Sequence, residues 1–117
     1  MCLAIFLLDT WVPAKGKEKE NEEVAKKILQ YGATHADISR NVKSLRYFRH
    51  GIGGSPPGRR VLITEFASLS DMDTFFKKLG KETEWLEIIQ EWRDVTEQTT
   101  IETLLWNDQH RKLWTEK

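Results

Sequence analysis

At 117 residues the chain is long enough for one hydrophobic core and too short for two. Its 18 basic and 18 acidic residues cancel, which excludes the overall positive field that draws a protein onto nucleic acid or an anionic membrane. The lone cysteine, Cys2, excludes an internal disulfide and any metal site built on several cysteines, and makes a reduced, cytoplasmic setting the expectation.

Met1–Trp11 reads as an apolar strand, with Leu3, Ile5 and Leu7 pointing one way and Cys2, Ala4, Phe6 and Leu8 the other. This run lacks a basic lead-in and is stopped by Asp9, so it does not read as a secretion signal. No stretch approaches the roughly 20 apolar residues of a membrane-spanning helix. Pro13 and Gly16 end the strand. Asn21 stands where it would cap a helix with Glu22 and Glu23 in its first turn and Val24, Ala25, Ile28 and Leu29 on its buried stripe. Gly32 marks the expected end of that helix. Ala33–Asn41 reads as a connection, and Val42–His50 as a second strand with Leu45 and Tyr47 on one face and Phe48 on the other. The breaker-rich segment 51–58 reads as a hairpin loop.

The rest of the chain is arranged around Arg60–Asp94. Val61–Phe66 is a strand, and Ser70 is the expected cap of the helix that follows, with Asp73 placed to reach back. Met72, Phe75, Phe76 and Leu79 recur at helical spacing, and beyond Gly80 so do Trp85, Leu86, Ile88, Ile89 and Trp92. The pattern leaves open whether Gly80 bends this helix or divides it. Thr99–Trp106, rich in β-branched and aromatic residues, is a fourth strand. One domain is therefore expected over residues 1–106, with 107–117 a polar tail. The order β-α-β-β-α-β predicts an α+β, ferredoxin-like fold: a four-stranded antiparallel sheet with both helices on one face.

Two helices cover one face of such a sheet, yet these strands are apolar on both sides. Val61 and Ile63 oppose Leu62 and Phe66, and Leu105 opposes Leu104 and Trp106. Each such side chain left wet forgoes about 1.5–3 kcal/mol. The simplest cover is the same face of a second copy, so a homodimer is expected.

The runs Ser44–Arg49, Val61–Met72, Trp85–Trp92 and Ile101–Trp106 resemble the dimeric α/β-barrel superfamily, which includes antibiotic-biosynthesis monooxygenase-like and stress-responsive barrel proteins. The resemblance covers most of the chain as a pattern, with no diagnostic motif. It implies a homodimer whose two sheets form a barrel with helices outside, often with a ligand cavity on the sheet's inner face. Its members include cofactor-free monooxygenases, haem-degrading enzymes, isomerases and proteins without known activity, so fold alone does not choose among them. The haem-degrading members use a histidine on a helix, which neither expected helix here contains.

The candidate site residues follow from chemistry. His50, at a strand end, is placed to act as acid, base or haem ligand, although an imidazole before a glycine-rich turn is also an ordinary exposed residue. Glu65, among Val61, Ile63 and Phe66, is either a base with raised proton affinity or the cross-strand partner of Arg46 or Arg49. Tyr47, Arg49, Trp11 and Trp106 are the expected ligand-binding residues, with core or dimer packing the competing role of the two tryptophans. Trp85 and Trp92 are expected to pack on the sheet, and His35 and His110 have no partner at ligand spacing, so no metal and no cofactor are expected. The glycine loop lacks the Gly-Lys-Ser/Thr ending of a phosphate cradle and precedes a strand.

Two function classes fit this inventory. One is a barrel that binds, and oxidises or isomerises, a small aromatic or apolar ligand without a metal. The other is a non-catalytic dimer, structural or engaging an anionic partner through the basic 40–60 hairpin with Arg46, Arg59 and Arg60. The acidic second helix offers that hairpin an alternative partner within the dimer. Neither a membrane nor nucleic acid is expected as a partner.

Overall fold

A computed structural model describes residues 4–51 and 58–109. Cys2, Leu3, the loop residues 52–57, His110 and Trp114 lie outside the described residues. The elements run β1 (Ile5–Pro13), α1 (Glu18–Thr34), α2 (Ala36–Ser39), β2 (Val42–Arg49), β3 (Arg60–Phe66), α3 (Leu69–Leu79), α4 (Thr83–Asp94) and β4 (Thr96–Asn107). The four strands form one antiparallel sheet in the order β2-β3-β1-β4, the ferredoxin-like arrangement expected from the order of elements. Among the described residues no helix is long and apolar enough to cross a membrane.

Alternation along the strands sorts the side chains as a half-covered sheet requires. Ile5, Leu7 and Trp11 of β1 and Phe66 of β3 are buried on the side of the helices. Beneath α1 and α4 they meet a core built on Val24, Ile28, Tyr31, Ile38, Leu79 and Ile88, with Trp85 and Trp92 packed against it. Trp92 sets its ring edge-on to Trp11 of β1 at a centroid distance of 5.2 Å, so the expected packing of this helix on the sheet is realised. On the opposite side Phe48, Leu104 and Trp106 are exposed.

Several boundaries differ from expectation, each for a local reason. Helix α1 begins at Glu18, one turn before Asn21, and runs past Gly32 to Thr34. Asn21 is therefore inside the helix, and its amide is spent on the core. The connection after α1 holds the short helix α2. The long second helix is two helices, because Glu82 takes an extended backbone between Leu79 and Thr83. Its cap is Ser68 rather than Ser70: the Ser68 hydroxyl accepts from the Asp71 amide at 3.1 Å. Asp73 pairs with Lys77 one turn on instead of reaching back. Ser68→Ala is expected to lower unfolding free energy by about 1 kcal/mol, whereas Ser70→Ala should be nearly silent, as urea titrations would show.

Strand β4 starts at Thr96 and carries an irregularity opposite β1, where the partners jump from Thr10↔Glu102 to Val12↔Glu97. There the Thr100 hydroxyl replaces a ladder carbonyl and accepts from the Val12 amide at 2.9 Å.

Candidate functional site

Among the described residues, one concavity lies on each side of the sheet. The first lies between the sheet and the helices. It is partly open, encloses about 80 Å³, and is bounded by Leu7 and Asp9 of β1, Thr64 of β3, Tyr31 of α1, Phe75 and Phe76 of α3 and Trp85 of α4, with His35 and Ser39 at the α1–α2 corner. Its walls are mostly hydrocarbon, which makes the carboxyl of Asp9 conspicuous. Strand parity dictates that position: Asp9 follows Ile5 and Leu7 on the face turned to the helices. Burial raises the proton affinity of Asp9 above that of an ordinary aspartate, and the Thr103 hydroxyl, donating to Oδ1 at 2.8 Å, partly offsets the rise.

His35 is fixed at the corner of this cavity. Its ring stacks on Tyr31 at 3.8 Å, with Nδ1 2.9 Å from the Tyr31 carbonyl and Nε2 3.6 Å from Glu84 Oε2. With the carbonyl as acceptor, Nδ1 carries the proton. Thr64 is buried in the floor, and Tyr31 is buried in the core between α1 and the sheet. Among the described residues no group of three or more His, Cys, Asp or Glu side chains is placed to hold a metal ion.

The second concavity is a groove of about 430 Å³ on the uncovered face, lined by Phe6, Leu8, Ser44, Arg46, Phe48, Ile63, Glu65 and Trp106. Here Glu65 takes its hydrogen bond from Ser44, directly across the strand pair at 2.8 Å, rather than from Arg46 or Arg49.

The residues singled out in the sequence divide between the two sides. Glu65, Trp106 and Arg46 line the open groove. Trp11 and Tyr47 lie on the helix side, where Trp11 is buried, stacks on Tyr47 at 6.1 Å and donates to Asn21 at 3.0 Å. Tyr47 donates to Glu22 at 3.2 Å, and burial followed by the nearby Glu22 charge pushes its hydroxyl up to about 12. Arg49 and Arg60 are cross-strand neighbours bordering a small cleft with Glu18. Buried Arg60 is held by Glu22 and by the Gly58 carbonyl. Arg59 instead donates to Thr10 at 2.9 Å and to the Thr100 carbonyl at 3.1 Å. A single anion therefore does not meet Arg46, Arg59 and Arg60 together. His50 stands at the end of β2, its amide bonded to the Arg59 carbonyl at 2.7 Å.

Asp9, His35 and Thr64 were not singled out for chemistry. Asp9 had a readable signal, an acid on the same strand parity as Ile5, Leu7 and Trp11. His35 and Thr64 had none, because only the packing of helices on sheet brings them to one place.

No family model matches the sequence, and no curated protein matches it. Solved structures do match the fold. A NIPSNAP family protein from Agrobacterium tumefaciens superposes with a TM-score of 0.68 at 21% identity, over 88% of this chain and 90% of its own. A variant of SnoaB, a cofactor-independent oxygenase from Streptomyces nogalater, gives 0.65 at 12% identity over 90% and 92%. A dimeric protein of unknown function and ferredoxin-like fold from Bacteroides fragilis gives 0.61 at 9% identity over 90% and 96%. At the level of fold, both the ferredoxin-like architecture and the resemblance to the dimeric α/β-barrel proteins are borne out.

Proposed function

We propose that the protein is a homodimer that binds a small aromatic or apolar ligand between sheet and helices, and that Asp9 accepts a proton from it. The observation that carries this reading is the carboxyl of Asp9 in an otherwise hydrocarbon-walled cavity, its proton affinity raised by burial. Such a group is costly to keep unless it is used. An apolar wall binds the ring, and the carboxylate takes the proton of a phenol, an enol or an activated carbon. The electron pair left on the ligand then either meets dioxygen, with oxygen as the oxidant, or recaptures a proton at another carbon. The first course is oxidation and the second isomerisation, and neither asks for a bound metal. A fold shared with a cofactor-independent oxygenase supports the first, and the dimeric Bacteroides fragilis neighbour supports the assembly.

Calorimetric titration with single-ring phenols and enolisable cyclic ketones tests this. Wild-type protein should bind a subset. Asp9→Asn should weaken binding of the hydroxylated ligands at least about tenfold, the worth of a charged hydrogen bond. Thr64→Ile, which adds hydrocarbon to the cavity floor, should abolish binding. Equal affinity in all three proteins, or no binding by any, would overturn the proposal.

A further inference from the structure

The uncovered face of the sheet carries two opposite charges that do not satisfy each other. Arg46 of β2 and Glu65 of β3 line the same groove, at diagonal positions: Ser44 lies opposite Glu65, and Arg46 lies opposite Ile63. Long side chains at such positions are within reach of one another. Among the described residues no ion pair joins them, and Arg46 has no hydrogen-bond or salt-bridge partner. Glu65 takes one bond, from Ser44, on a single oxygen.

The surroundings decide what can cover this face. Phe48, Leu104 and Trp106 are 45%, 42% and 56% exposed around those two charges, and Phe6 and Ile63 line the same groove. That is a contiguous apolar surface of the kind that marks an interface. A purely apolar cover would take both charges from water in the unpaired arrangement they have here, which is costly. A cover that is apolar at its centre and brings an acid to Arg46 and a base to Glu65 avoids that cost. This face of the sheet has that composition itself. A twofold axis makes the match reciprocal: whatever brings Arg46 to Glu65 of the partner subunit also brings Glu65 to Arg46 of the partner subunit.

We infer that two reciprocal Arg46–Glu65 ion pairs across the twofold axis fix the register in which the two sheets face one another. The apolar groove supplies the attraction and the charges supply the alignment, since a slipped register would bury each charge without its partner. This inference rests on the homodimer reading and adds to it the pair that orients the dimer.

The test uses full-length protein in sedimentation equilibrium, with wild type, Arg46→Glu, Glu65→Arg, and an equimolar mixture of the two variants. Each variant alone places like charges at both contacts and should dimerise at least about tenfold more weakly than wild type. The mixture places opposite charges at both contacts and should recover dimer as a heterodimer, to within about threefold of wild type. Recovery in the mixture also shows that each variant is folded, and it separates pairing between protomers from pairing within one. The doubly substituted chain, Arg46→Glu with Glu65→Arg, should recover in the same way. If the single variants dimerise as wild type does, or if neither the mixture nor the double substitution recovers, the pairing is overturned while the homodimer stands. A wild-type monomer at tens of micromolar overturns both.

Discussion

Asn21→Ala is expected to lower unfolding free energy by about 2–4 kcal/mol, a large share of the 5–15 kcal/mol that holds a domain of this size together. Asn21 is 0% exposed, and its amide joins three parts of the chain. Oδ1 accepts from Trp11 Nε1 at 3.0 Å, while Nδ2 donates to the Val95 carbonyl at 3.0 Å and to Thr96 Oγ1 at 2.9 Å. The side chain thus pins α1 both to the central strand and to the junction of α4 with β4. Alanine leaves a void and a buried indole N–H with no acceptor. Val95 and Thr96 lose less, because the Val95 carbonyl still accepts from the Ala14 amide and the Thr96 hydroxyl still donates to the Trp92 carbonyl. The orphaned indole and the void carry the cost. Urea unfolding followed by tryptophan fluorescence measures it. A loss below about 0.5 kcal/mol would mean that Asn21 behaves as a surface residue.

Asp9→Leu should act in the opposite direction, stabilising the protein at pH 7 by about 0.5–2 kcal/mol while removing the proposed proton acceptor. The sign follows from the raised proton affinity of the folded carboxyl. At low pH aspartate is protonated in both states and the buried group carries little penalty. As pH rises through the unfolded value, the unfolded chain ionises first. The native state holds its proton longer, so stability falls until the folded group has ionised as well. The advantage of leucine should therefore grow from about pH 4 upward and then level off. The Thr103 hydroxyl that loses its acceptor is exposed and turns to water. Paired urea titrations across pH 3–8 measure the difference, and a difference independent of pH would show that ionisation of Asp9 plays no part in it.

These two residues also mark where sequence reading reaches its limit. A short polar residue ahead of an apolar stripe, such as Asn21 before Val24 and Ala25, looks the same whether it caps a helix or lies one turn inside it. The distinction depends on whether Lys17–Glu20 joins the helix, and local pattern does not decide that. Ser68 and Ser70 pose the same problem, since each is followed three residues later by an aspartate, Asp71 or Asp73. The order of the strands, their two apolar faces and the packing of Trp92 were legible, because period two and period 3.6 act within one element. Assembly of a site was not, because it depends on register between elements. Tyr47 and Trp106 sit on opposite sides of the sheet, and the irregularities at Val42/Ser44 and Thr10/Val12 shift the pairing in ways no single strand encodes. For Glu65 the sequence offers Arg46 or Arg49 as a cross-strand partner; Ser44 faces it instead, because β2 meets β3 in that register.

The placing of β1 between β3 and β4 has a consequence for how the chain is made. Of the four strands, the inner strand β1 is made first and its neighbour β4 last, with Ile5 aligned to Asn107. Until β4 emerges, β1 has β3 on one side and a bare row of amides and carbonyls on the other, flanked by Phe6 and Leu8. Closing a loop that spans nearly the whole chain is slow compared with forming α1 or the β2–β3 hairpin. Nascent chains of this protein therefore pass through a stage in which their most apolar strand is half paired, and that stage is where they are most exposed to pairing with one another.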